Sequence, residues 1–105
     1  MILASALDAA LARVDAVNPK INAFCTPMID VARTRAAGPL SGPFAGVPFL
    51  IKDIAQHIKG VPTSAGSRAL KDWRPELSSE IVLRFERAGL VIFGKTTTPE
   101  LALKG

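Results

Sequence analysis

The run Val47-Pro48-Phe49-Leu50-Ile51-Lys52-Asp53-Ile54 constrains this chain more than any other stretch, because apart from Lys52 and Asp53 it is apolar on both faces. Such a strand needs a sheet covered on both sides by helices, whereas a strand on an open antiparallel sheet alternates apolar with polar residues. Pro48 falls at the strand's start, where a missing N–H is tolerated. Further on, Leu77, Ile81, Phe85 and Ala88 predict an amphipathic helix, with Ser78 or Ser79 as its N-cap and Gly89 as its C-terminal cap. Arg84 and Arg87 suit the negative end of that helix. Leu90-Val91-Ile92-Phe93 then reads as a second short buried strand, and Gly94 opens a loop before Pro99. The order strand, helix, strand implies a parallel pair.

Upstream, Leu3, Leu7, Ala10, Leu11, Val14 and Val17 recur at helical spacing over residues 2–17, and Asn18-Pro19 supplies a stop. Thr26 and Pro27 read as cap and first turn of a shorter helix that runs through Val31 and Ala36 to Gly38. Gly38, Pro39, Gly42, Pro43 and Gly46 punctuate a loop into the covered strand, and residues 55–68 form a second, Gly/Pro/Ser-rich loop. There is no internal repeat, low-complexity tract or linker. The expectation is one α/β piece with one modest core, burying about two-thirds of its unfolded surface if folded alone.

The formal net charge is +4, from 13 Lys and Arg against 9 Asp and Glu, but the basic residues are scattered rather than gathered in the stripe that nucleic acid requires. No stretch approaches the ~20 apolar residues of a membrane span, and the first residues lack the charged leader and long apolar core of a secretory signal. The expected setting is cytoplasmic, with neither nucleic acid nor membrane as partner. Cys25 is the only cysteine, so no intrachain disulfide forms, and it reads as a small buried hydrophobe. The only histidine, His57, lies far from it in sequence, in a loop.

Gly89, four residues, then Gly94-Lys95-Thr96 spell a phosphate-binding P-loop. The setting contradicts it. The four residues between are Leu90, Val91, Ile92 and Phe93, which favour a buried strand over a turn whose amides face phosphates, and Pro99 opposes the helix that should follow. Lys52 is the more informative lysine, standing at the end of a strand expected to be covered. Desolvation disfavours an ammonium, so a lysine held there can serve as a general base. The alternative is that Lys52 marks the strand's solvated end and pairs with a carboxylate, with Asp53 on the opposite side.

Four segments together bear on that choice: Ile21-Asn22-Ala23-Phe24, Gly42-Pro43-Phe44-Ala45-Gly46-Val47-Pro48-Phe49-Leu50-Ile51-Lys52-Asp53, Pro62-Thr63-Ser64-Ala65-Gly66-Ser67-Arg68 and Gly94-Lys95-Thr96-Thr97-Thr98-Pro99-Glu100. In order and spacing they resemble the amidase-signature family over nearly the whole chain. The resemblance implies an α/β fold with a mixed, mostly parallel sheet covered by helices. It also implies hydrolysis of a carbon–nitrogen amide bond, in which one serine attacks the carbonyl and a second, in a cis peptide, relays protons to a lysine. Lys52 aligns with that lysine, and backbone amides of a glycine-rich segment hold the oxyanion. Thr97 stands where many relatives carry Asn.

Both serines of the family fall beyond the Thr98-Pro99-Glu100 element, in a Gly/Ser-rich stretch that these residues do not reach. Ser78 and Ser79 are adjacent but lack flanking glycines and read as caps, and Ser64 and Ser67 have no catalytic counterpart. Residues 1–105 are therefore expected to be the N-terminal segment of a single amidase domain, inactive without its C-terminal part. The expected partner of the complete enzyme is a small-molecule amide, and no metal or organic cofactor is implied. Oligomeric state stays open, a homo-oligomer included. Two alternatives stand beside this reading: the A subunit of a tRNA-dependent, glutamine-hydrolysing amidotransferase, and a non-catalytic piece that completes another chain through its unpaired strand edges.

Overall fold

The second apolar run, not the first, makes the central strand. The computed structural model describes residues 2–99 and 101, with α1 (Ile2–Ile21), β1 (Phe24–Pro27), α2 (Ile29–Ala37), β2 (Pro48–Lys52), a 3-10 turn (Arg68–Leu70), α3 (Glu80–Arg87) and β3 (Val91–Thr96). The sheet order is β1-β3-β2. β3 pairs parallel with β2 and antiparallel with β1, so the α/β class and the mixed sheet expected from sequence are present. Every residue of β3 up to Lys95 is buried.

Two apolar clusters lie on either side of the sheet. On one face Leu7 and Leu11 of α1 and Ala32 and Ala36 of α2 enclose Val91 and Phe93; on the other, Val82 of α3 packs with Met28, Ile51 and Ile92. The parallel β2-α3-β3 unit is thus covered on both sides, as parallel strands require. Among the described residues, no helix is long and apolar enough to cross a membrane.

Several local expectations are corrected. α1 runs past Asn18-Pro19 to Ile21, because proline's fixed φ is helical and a last turn forfeits little by losing one N–H. The stop is Asn22, left-handed at φ +49°, while Asn18 Oδ1 accepts the Phe24 N–H at 2.9 Å. Thr26 and Pro27 do not begin α2 but lie in β1, and Met28 precedes the helix without a side-chain cap. β2 is an edge strand, half-buried except for buried Ile51 and exposed Lys52, so the strand itself is less covered than its apolar run implies. α3 is shorter than its apolar pattern, with Val82 turned inward while Leu77 and Ile81 are exposed. Arg84 and Arg87 reach back to Glu80, whereas Arg35 of α2 donates to the α3 carbonyl of Glu86 at 2.6 Å.

Gly89 does close α3 as expected. Its N–H donates to Glu86 O and the Leu90 N–H to Phe85 O, the paired bonds of a Schellman end. At φ +95°, a Cβ added here would meet Ala45 Cα at 2.5 Å and Ser41 O at 2.6 Å, both backbone atoms that cannot swing away. Gly89→Ala is expected to destabilise the folded protein by about 3 kcal/mol, combining left-handed strain with a forced shift of residues 41–45. A urea midpoint unchanged from wild type would show that this contact can relax freely.

Candidate active site

Gly94 does not end the strand. β3 continues through Lys95 and Thr96, so the residues that spell a P-loop are a buried ladder whose amides face neighbouring strands, with no loop to cradle a phosphate. Against β2, Phe49 pairs with Ile92 but Leu50 pairs with Gly94, leaving Phe93 as an extra residue on β3. One extra residue inverts the alternation beyond it. Lys95 therefore pairs with Ile51 instead of following Phe93 to the α1 and α2 side, and Lys52 pairs with Thr96.

This places the two lysines oppositely. Lys95 is completely buried, and its Nζ donates to the hydroxyl of Thr63 at 2.5 Å. Burial pushes its pKa below the ordinary lysine range, opposed by the nearby charges of Asp53 and Cys25. Lys52 is exposed, which corrects the expectation that this strand end is desolvated. The alternative ion pair is not made either: among the described residues the Lys52 side chain has no carboxylate partner, since the ion pairs found join Arg33 to Asp8 and Arg84 and Arg87 to Glu80.

What surrounds Lys52 in the chain is firmly held. Its own N–H donates to Gln56 Oε1 at 2.7 Å. Asp53, 4% exposed, donates its N–H to Thr96 O at 3.2 Å and accepts the Ala65 N–H at its carbonyl at 2.8 Å. Its carboxylate accepts the Ser64 N–H at 3.1 Å and the Ser64 hydroxyl. Ala55 and Ala65 are left-handed at φ +61° and +52°, bending the loop so that residues 63–65 return to the strand end.

The remaining candidates separate. Cys25 presents an exposed residue surface, but its Sγ leans on β3, 3.5 Å from Lys95 O, and burial together with the Asp53 carboxylate raises its pKa, the opposite of an activated thiolate. His57 packs edge-on against Trp73, with ring centroids 5.2 Å apart, and lines a hollow that Cys25 does not share. Ser78 and Ser79 are not side-chain caps: they accept the N–H groups of Lys59 and His57, at 3.0 and 2.8 Å, and clasp the loop after β2 to the start of α3. The buried set of Asp53, Thr63 and Lys95 is not legible in the sequence, because Gly94 reads as a breaker and the extra residue at Phe93 leaves no local signature.

The sequence profile of the family described as Amidase matches residues 5–105. The A subunit of glutamyl-tRNA(Gln) amidotransferase from Salinispora tropica is 46% identical over 101 residues, covering 89% of this chain and 20% of that protein. The 6-aminohexanoate-cyclic-dimer hydrolase of Paenarthrobacter ureafaciens is 41% identical over 97 residues, covering 90% of this chain and 20% of that protein. A solved structure of 6-aminohexanoate cyclic dimer hydrolase complexed with substrate superposes with a TM-score of 0.85 at 40% identity, over 91% of this chain and 20% of that one. The chain thus spans about one fifth of the length of these relatives.

Proposed function

This chain belongs to the amidase-signature family, and from that premise we propose that residues 1–105 form the N-terminal segment of a single amidase domain whose catalytic lysine is Lys52. The observation that carries the reading is the position of Lys52. It stands at the C-terminal end of a parallel strand, exposed, without a carboxylate partner among the described residues, and flanked by buried Ile51 and Asp53. Active sites of parallel α/β folds gather at that end of the strands.

In the complete domain, the remaining part of the fold covers Lys52 and favours its neutral amine. That amine accepts a proton from the relay serine, which takes the proton of the nucleophilic serine as the latter attacks the amide carbonyl. Lys52 then returns that proton toward the departing nitrogen. A hydroxyl is a poor nucleophile at its own pKa, so the step depends on such a base. Both serines and the oxyanion donors belong to the part of the domain outside these residues, and a base without a nucleophile activates nothing. The domain containing this chain is expected to release ammonia or amine from a simple amide, while residues 1–105 alone release none. Serine-dependent hydrolysis by the 105-residue chain alone would overturn the reading.

A second reading within the family is favoured by the 46% identity to the A subunit of an amidotransferase: the amide is glutamine, and partner proteins take the ammonia. The chemistry at Lys52 is the same. Glutamine hydrolysis that appears only with those partners and tRNA would select it; hydrolysis independent of both would select the free-standing amidase.

A further inference from the structure

The polar groups on the hidden side of the sheet are more numerous than packing needs. Beneath β2 and β3 the structure buries a lysine (0% exposed), an aspartate (4%) and a threonine (2%), where apolar side chains would fill the space without desolvating charge. Each has a partner. Lys95 Nζ donates to Thr63 Oγ1 at 2.5 Å, Ser64 donates twice to the Asp53 carboxylate, and the Thr63 N–H is tied to Trp73 O at 3.0 Å. Two members of this set, Lys95 and Asp53, join the end of β2. Lys95 is the register partner of Ile51, and Asp53 extends the ladder to Thr96, so the residues on either side of Lys52 are both anchored from below.

We propose that Thr63, Ser64, Asp53 and Lys95 form a positioning set for the amine of Lys52, fixing the last residues of β2 from the face opposite the reacting groups. Alternation turns Lys52 away from the set, so the four act on its amine only indirectly. Their effect passes through the backbone between Ile51 and Asp53. A loosened strand end lets the amine wander from hydrogen-bond reach of the serine it must serve, and misplacements of about 1 Å in such geometry lower rates by up to roughly 100-fold.

The inference rests on the reading of Lys52 given above, and the test separates the two. In the complete amidase domain, Thr63→Val keeps the side chain's shape but removes the acceptor for Lys95, Thr63→Ser restores it, and Ser64→Ala releases the Asp53 carboxylate at a less buried position. The measured quantities are kcat per folded molecule and KM, with Lys52→Met assayed alongside. We expect Thr63→Val and Ser64→Ala to lower kcat about tenfold or more with KM within about twofold of wild type, and Thr63→Ser to recover most of the loss. Unchanged kcat in both variants, beside an inactive Lys52→Met, would overturn the positioning role while leaving Lys52 in place. An active Lys52→Met would overturn both.

Discussion

Replacing Lys52 with methionine is expected to lower kcat for amide hydrolysis by roughly 1,000-fold in the complete domain while shifting the stability of residues 1–105 by no more than about 0.5 kcal/mol. The two halves of that expectation come from the same geometry. The side chain is exposed and has no ion-pair partner among the described residues, so folding of residues 1–105 loses little when it is replaced. Catalysis loses its proton acceptor, and a serine hydroxyl has no comparable base in bulk water at neutral pH. Steady-state kinetics of the complete domain and a urea titration of residues 1–105 check the two halves. A large stability loss would make Lys52 structural, and near-normal kcat would remove it from the reaction.

Lys95→Ala is expected to do the reverse of a clean catalytic lesion, lowering folding stability by about 3 to 5 kcal/mol. It empties the volume of a side chain that is 0% exposed, leaves the Thr63 hydroxyl without its partner and takes away the cation that faces Asp53. Both the cavity and the unsatisfied polar groups act in the same direction. The wild-type protein carries a pH signature of this group. Because burial lowers its pKa, the unfolded chain binds its proton more readily in the window below the ordinary lysine value of 10.5. Lys95 therefore contributes to stability above that value, and the contribution is lost as pH falls through the lowered pKa. Urea midpoints across alkaline pH should rise more steeply for wild type than for Lys95→Ala. Parallel curves would show that Lys95 titrates alike in the folded and unfolded chain.

What is legible in the sequence is local or nearly so. The apolar run into Lys52, the helical spacing before Gly89 and the run that follows it together yield the parallel unit, because periodicity and caps depend on neighbours in the chain. β1 escapes such a reading because Phe24–Pro27 is four residues long and Thr26-Pro27 carries a helix-start signature; only pairing with β3 makes it a strand. The exchange of burial between the two lysines is hidden for a different reason. The extra residue at Phe93 exists only in the register against β2, and it alone sends Lys95 to the Asp53 side. Ser78 and Ser79 sit at a helix start as expected, yet their hydroxyls bind the loop after β2, a choice set by tertiary contact.

The most direct test of Lys52 as a proton acceptor is the kcat of Lys52→Arg in the complete domain. Arginine keeps the positive charge and much of the reach but does not give up its proton at accessible pH. If Lys52 works as a base, Lys52→Arg should be about as inactive as Lys52→Met at every pH assayed. Activity within about tenfold of wild type would contradict the account, because a fixed cation could then do what Lys52 does.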